Sequence, residues 1–132
     1  IPPIQGLLMN VTLTSELGGL EIYTDRMLEK VLYNLIENSV RHGKDMTHIS
    51  LSCHQSNSDM IISYEDDGGG IALAEKEKVF EKGFGKNTGL GLFLIREILS
   101  ITGIEIVENG EPGKGVRFEI RVPVGKWRIS GA

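Results

Sequence analysis

The sequence predicts an α+β domain, in which a mixed, mostly antiparallel sheet is covered on one face by helices. Two segments, near residues 27–40 and 90–101, carry apolar residues at helical spacing. Several shorter segments alternate apolar and polar residues between turn formers, and they pair in sequence largely as hairpins. At 132 residues the chain is long enough for one domain with its own core. Helices and hairpin strands within one such domain pack as separate layers.

Composition narrows the function classes. Hydrophobic residues make up 40% and charged residues 24%, which excludes disorder and coiled coil. With 14 bases, 18 acids and a net charge of −4, the chain has no basic stripe for a polyanion, so no nucleic-acid partner is expected. Its apolar runs fall far short of the roughly 20 residues of a membrane helix, and no leader pattern opens the sequence. The single cysteine, Cys53, cannot form an internal disulfide, which suits a reducing, cytoplasmic setting. Because the sequence opens at Ile1 rather than Met, it is expected to be a fragment of a longer protein. Seven of the 17 glycines fall between Gly68 and Gly91.

A single domain over residues 1–132 is expected, with 1–22 as an extended lead-in and 124–132 as a tail. Val11-Thr12-Leu13-Thr14 and Glu21-Ile22-Tyr23 have strand composition, with a Gly18-Gly19 turn between them. Met27, Leu28, Val31, Leu32, Leu35, Ile36, Ser39 and Val40 mark a helix that Thr24 or Asp25 can cap and Gly43 ends. Strands follow at 49–53 and 60–64, joined by an Asn57-Ser58-Asp59 turn. The charged segment 74–80 reads as a short helix, and a glycine-rich loop follows Lys82. The helix at 90–101 offers Leu90, Leu94, Ile98 and Ile101 as its apolar face and closes at Gly103. Residues 104–107 and 116–122 form a last hairpin across Pro112 and Gly113.

Four constellations carry candidate chemistry. Asn34, Asn38, Arg41 and His42 share one face of the first helix; an amide oxygen can complete a Mg²⁺ shell and a guanidinium can hold phosphate. A solvated polar face explains the same spacing about equally well. Glu65-Asp66-Asp67-Gly68-Gly69-Gly70-Ile71 puts carboxylates at a strand end before three glycines, where backbone can approach a flat ligand and a carboxylate can accept from an exocyclic amine; a generous turn is the plain alternative. Gly83-Phe84-Gly85-Lys86-Asn87-Thr88-Gly89-Leu90-Gly91-Leu92 runs into a helix and can offer N–H groups to phosphate; a loop leading into a helix start is the plain alternative. That loop is no Walker A motif and fits the dinucleotide fingerprint poorly. Pro112-Gly113-Lys114-Gly115-Val116-Arg117-Phe118 by itself reads as a hairpin turn. His48 and His54 read as surface side chains and Trp127 as a packing or interface residue; no hydrolase triad is visible.

Taken in order, these segments resemble the sequence boxes of sensor histidine kinases. Asn34-Leu35-Ile36-Glu37-Asn38-Ser39-Val40-Arg41-His42 resembles the N box, and Asp66-Asp67-Gly68-Gly69-Gly70-Ile71 the first glycine box. Val79-Phe80-Glu81-Lys82-Gly83-Phe84 resembles the F box, and Gly85-Lys86-Asn87-Thr88-Gly89-Leu90-Gly91-Leu92 the second glycine box. Gly113-Lys114-Gly115-Val116-Arg117-Phe118 resembles the closing hairpin. The likeness spans about Tyr23 to Pro123 and lies within the wider superfamily of gyrase, Hsp90, histidine kinase and MutL ATPases.

The resemblance implies the two-layer Bergerat ATP-binding fold and an ATP·Mg²⁺-binding catalytic domain that gives the γ-phosphoryl group to a histidine. By that likeness Asn38 is a Mg²⁺ ligand, Asn34 a phosphate or metal-shell contact, Arg41 a phosphate contact, and His42 lies along the nucleotide. Asp66 takes the adenine amino group, with Gly68, Gly70 and Ile71 making room. Gly85, Lys86, Asn87, Thr88, Gly89, Leu90, Gly91 and Leu92 form the phosphate lid, anchored by Phe80 and Phe84. Asn34, Asn38, Arg41 and Lys86 carry the catalytic role. The sequence departs from the pattern at His42, often Tyr or Phe, and at Val116, commonly Thr, so no hydroxyl is expected from that hairpin. Asn34 stands where hydrolysing relatives carry a Glu base; an amide takes no proton, which disfavours attack by water.

The implied partners are a dimerisation and phosphoacceptor domain of the same protein and, indirectly, a response regulator. No membrane contact by this domain is expected, and alone it would be a monomer. None of His42, His48 and His54 sits in a helical hairpin, where the family keeps its acceptor, so this chain is expected to bind ATP without phosphorylating itself. Two competing readings are an anti-sigma-factor-like serine kinase, which Arg41-His42-Gly43 suits, and a non-catalytic nucleotide-sensing module.

Overall fold

The structure is a computed structural model describing residues 12–16, 20–22, 25–42, 46–76, 78–81 and 91–129. Its elements are strands β1 (Thr12–Glu16) and β2 (Leu20–Ile22), helix α1 (Asp25–His42), strands β3 (His48–Ser56) and β4 (Asp59–Asp66), 3-10 turns at Leu73–Glu75 and Lys78–Phe80, helix α2 (Gly91–Ile101), and strands β5 (Glu105–Glu108), β6 (Arg117–Val122) and β7 (Trp127–Ile129).

Five strands form one sheet in the order β1-β3-β4-β6-β5. β1 runs parallel to β3, and the remaining neighbours are antiparallel, so the sheet is mixed as the sequence predicts. Alternation places Ile49 and Leu51 of β3, Ile106 of β5, and Phe118, Ile120 and Val122 of β6 in the core. From the helices, Val31, Leu35 and Ile36 of α1 and Ile95 and Leu99 of α2 close over them. The β3–β4 turn falls at Asn57-Ser58, where Asn57 takes φ 57°, a left-handed conformation that Asn tolerates.

Three expectations change. The strands read at 11–14 and 21–23 are present, but as parts of sheets instead of an extended lead-in: β1 joins the main sheet, and β2 pairs with β7 (Leu20 opposite Ile129) in a separate two-stranded sheet. The segment read as a tail therefore carries a strand too. Pairing between residues this far apart in sequence leaves no local signal. Gly18-Gly19 lies outside the described residues, as do the proposed helix boundaries Thr24 and Gly43.

Second, residues 74–80 hold two short 3-10 turns instead of a continuous helix. Among its described residues the buried apolar anchors are Val79 and Phe80, both at its end, which does not make an amphipathic face for a longer helix.

Third, α2 buries a different face from the one expected. Ile95 and Leu99 are 4% and 1% exposed, whereas Leu94 is 47% and Ile101 83% exposed. The sequence Gly-Leu-Phe-Leu-Ile-Arg-Glu-Ile-Leu-Ser-Ile is apolar on several sides, so spacing cannot select the face. The helix end does. Gly103 donates to the carbonyl of Ser100 (3.0 Å) and Ile104 to that of Leu99 (3.0 Å), closing the last turn and driving Ile104 into the core.

Candidate functional site

β4 is the middle strand of the five and ends at Asp66. Asp66 is buried, at 8% exposure. Its Oδ1 accepts from the N–H groups of Gly68 and Val116, each at 3.0 Å, and its Oδ2 accepts from the Ser39 hydroxyl at 2.6 Å. A carboxylate has about four lone-pair positions. Among the described residues one acceptor position, on Oδ2, is left open. That position can accept one more N–H or O–H.

The glycines fit this picture for a steric reason. Gly115 has φ 111°, and a Cβ there would stand 1.9 Å from the Asp66 carbonyl oxygen. At Gly70, φ 73°, a Cβ would stand 2.9 Å from the Gly115 carbonyl oxygen. The N–H of Gly113 donates to the carbonyl of Gly69 (3.0 Å), and that of Asp66 to the carbonyl of Val116 (3.2 Å). The turn before β6, which alone reads as a plain hairpin, is thus locked against the strand-end glycines and is part of the site. Gly68 is buried, and Ile71 packs at the margin of the core.

α1 crosses above. Ser39 is 4% exposed and reaches Asp66 from the buried side of the helix. Tyr64, fully buried, brings its hydroxyl to 2.7 Å from Ser39 Oγ and 3.0 Å from the Leu35 carbonyl. Asn38, next to Ser39, is half-buried. Asn34, one turn back, is also half-buried, and its Nδ2 donates to the carbonyl of Lys30 (3.0 Å), leaving its oxygen as the end that can meet a ligand. Arg41 and His42 form the last turn of α1, and their side chains lie outside the described residues.

The expected lid residues Phe84, Gly85, Lys86, Asn87, Thr88, Gly89 and Leu90 also lie outside the described residues. On either side of that segment the chain is held firmly. Phe80 is buried edge-on against Phe118, ring centroids 6.1 Å apart, with the Arg96 guanidinium 4.8 Å above its ring. α2 begins at Gly91, and Leu92 packs at the core margin.

Two acids beside the site fix loops. Asp67 accepts from the backbone N–H groups of Thr47 (2.8 Å) and His48 (2.9 Å) and from the Thr47 hydroxyl (2.7 Å). These bonds, the His48 N–H foremost, lower its pKa to about 2. Glu108, whose side chain is 0% exposed, accepts from the N–H groups of Gly110 and Arg117, each at 3.1 Å, and pairs with Lys76. That pair ties the chain after the glycines to the end of β5.

Sequence reasoning assigns Asp66, Gly68, Gly70 and Ile71 to the base and Asn34 and Asn38 to metal and phosphate; the structure brings Asp66, Gly68 and Gly70 together with Gly115 and places Asn34 and Asn38 on α1, which carries Ser39. That reasoning misses Ser39 and the Val116 N–H as partners of Asp66, and Tyr64 as the donor to Ser39. From the closing hairpin Val116 contributes its backbone N–H, and Ser39 supplies a hydroxyl from the opposite side. The available signal was a Ser at a core position of an apolar helical stripe. Lys76 and Glu108, separated by 32 residues, gave none.

A buried strand-end carboxylate facing a glycine turn, roofed by an asparagine-bearing helix, defines a nucleotide-binding α+β domain. The chain belongs to the family described as Histidine kinase-, DNA gyrase B-, and HSP90-like ATPase, whose family model matches residues 24–126. It is 34% identical over 131 residues to the alginate biosynthesis sensor protein KinB of Pseudomonas aeruginosa, covering 91% of this chain and 22% of KinB. It is 37% identical over 108 residues to the sensor protein SrrB of Staphylococcus aureus, covering 75% of this chain and 18% of SrrB. The chain thus spans about a fifth of the length of these relatives. Among solved structures, the mycobacterial sensor histidine kinase MprB matches with TM-score 0.78 at 16% identity, covering 91% of this chain and 86% of that one. Full-length ShkA in complex with AMPPNP matches with TM-score 0.76 at 20% identity, covering 98% of this chain and 31% of that one. Both share the fold. Among the described residues no helix is long and apolar enough to cross a membrane.

Proposed function

We propose that this chain is the ATP·Mg²⁺-binding catalytic domain of a two-component sensor histidine kinase, working in the cytoplasm, where ATP is held. The observation that carries the reading is the buried Asp66 carboxylate, with three donors around it and one acceptor position open at a strand end. An adenine amino group supplies the missing donor, and Gly70 and Gly115 let the turn before β6 approach the end of β4 closely enough to hold that carboxylate. The complex of ShkA with AMPPNP and the kinship to KinB and SrrB support the same reading.

The donor set fits the rest of the nucleotide. Asn38, half-buried beside Ser39, offers an amide oxygen suited to Mg²⁺. Asn34 offers its free oxygen one turn away, and Arg41 and His42 follow at the end of α1. Gly85, Lys86, Asn87, Thr88, Gly89, Leu90, Gly91 and Leu92 form the phosphate lid, with Phe80 and Phe84 at its root. Held by Asn38, Mg²⁺ would neutralise phosphate charge. The chain's own residues orient the γ-phosphoryl group and, with Asn34 in place of a carboxylate base, give water no proton acceptor. A neutral imidazole, already nucleophilic, needs none at the start. The acceptor histidine lies on a dimerisation domain outside this sequence, and a response regulator receives the group afterwards. The isolated chain is a monomer.

Calorimetric titration with ATP tests the assignment. Asp66→Asn is expected to weaken binding by more than about tenfold, because its amide presents a donor to a donor; unchanged affinity refutes the reading. With γ-labelled ATP the chain alone is expected to remain unlabelled. When joined to its longer protein, the label is expected on histidine, as an acid-labile phosphoramidate. Label retained through acid, on serine, would favour the serine-kinase reading.

A further inference from the structure

We propose that Tyr64 and Ser39 are positioning residues for base recognition: their hydroxyls form a buried donor chain that holds the Asp66 carboxylate with its open acceptor toward the purine 6-position. The inference rests on the reading of Asp66 as the adenine contact.

The direction of the chain follows from chemistry. An ionised carboxylate can only accept, so Ser39, 2.6 Å from Oδ2, must donate to it. With its single proton committed, Ser39 Oγ can only accept from Tyr64, 2.7 Å away. Tyr64 can act as that donor because burial pushes its phenol well above its ordinary pKa, so it stays protonated. The proton of Tyr64 also lies within reach of the Leu35 carbonyl, which fixes the ring to α1. The Ser39 hydroxyl of α1 and the N–H groups of Gly68 and Val116 thus meet at one carboxylate, and Tyr64 of β4 stands behind the hydroxyl.

Neither hydroxyl is required by packing. Tyr64 is 0% exposed, and its ring already meets Phe118 at a centroid distance of 6.2 Å; Phe would fill the same space without bringing a polar atom into the core. Ser39 occupies a core position in a stripe that otherwise holds Val31, Leu35 and Ile36. Two polar atoms at two apolar positions, one bonded to Asp66 and the other bonded to that first hydroxyl, are accounted for by how they hold Asp66. A carboxylate already bound on three sides cannot rotate, and its last lone pair meets the purine amine without reorganisation.

The test compares ATP with the triphosphate of 6-chloropurine riboside, which has no N–H at position 6. Both are titrated into the wild-type chain and into Tyr64→Phe, Ser39→Ala and Asp66→Asn. The hydroxyl variants are expected to lower ATP affinity by about three- to tenfold, the worth of one net hydrogen bond, while the chloro nucleotide changes by less than about twofold. Equal losses for both nucleotides, or no loss for either, overturn the inference, since a purely structural role would not change the ratio. If the ratio falls in Asp66→Asn but not in the hydroxyl variants, the inference fails and the adenine contact stands. If Asp66→Asn leaves the ratio unchanged, the adenine contact itself fails. Should Ser39→Ala melt the fold, Tyr64→Phe decides alone, with chloro-nucleotide affinity as its measure of an intact pocket.

Discussion

The α-carbon of Gly115 faces the carbonyl oxygen of Asp66 so closely that a Cβ on it would stand 1.9 Å away. Gly113, two residues earlier, also has a positive φ, 86°, but open space around its missing Cβ. The pair separates backbone strain from close approach. Gly113→Ala is expected to lose about 1 kcal/mol of stability and keep ATP affinity. Gly115→Ala must move the strand end, and is expected to lose more than 2 kcal/mol, or about tenfold or more in ATP affinity if it folds. Denaturant melts and ATP titrations of both variants check this.

Asp67 sets an acid dependence. Its carboxyl titrates at about 2 in the folded chain against an ordinary value of 3.8. Between these values the unfolded chain binds more protons than the folded one, so stability rises with pH across that window. The contribution is complete above pH ~4 and is lost as pH drops through about 2. Asp67 is 45% exposed, so solvent screening keeps the effect modest. Asp67→Asn is expected to flatten the urea midpoint against pH over this range; an unchanged profile contradicts the clamp on Thr47 and His48.

The buried face of α2 can be read by mutation. Leu99→Ala, at 1% exposure, is expected to cost about 2–5 kcal/mol. Ile101→Ser, at 83% exposure, is expected to stay within about 0.5 kcal/mol. Urea unfolding of the two variants measures both, and the reverse ranking would restore the face first expected from spacing.

Lys76 and Glu108 form a pair in which the acid is fully enclosed. Lys76→Met leaves that carboxylate with only the backbone donors of Gly110 and Arg117 and is expected to cost about 3–5 kcal/mol. Replacing both partners, Lys76→Met with Glu108→Leu, is expected to recover part of that loss, because the uncompensated charge goes with the acid. Unfolding free energies arranged as a double-mutant cycle test this, and additive losses would remove the pair from the account.

Local chemistry determined much of this protein from sequence alone. Helical spacing located α1, alternation located β3 through β6, and a carboxylate followed by Gly68-Gly69-Gly70 marked the site, because each signal lies within a few neighbouring residues. Tertiary structure decided the rest. The parallel seat of β1, the pairing of β2 with β7, the buried face of α2, the convergence of Ser39 and Val116 on Asp66 and the bond from Tyr64 to Ser39 all depend on residues distant in the chain. A donor and its acceptor brought together by folding carry no mutual spacing, so Ser39 read as one polar residue in an apolar stripe and Tyr64 as one residue of a strand. The glycine cluster showed where a ligand could approach, and the packing of α1 over β4 decided which atom of Asp66 remains to receive it.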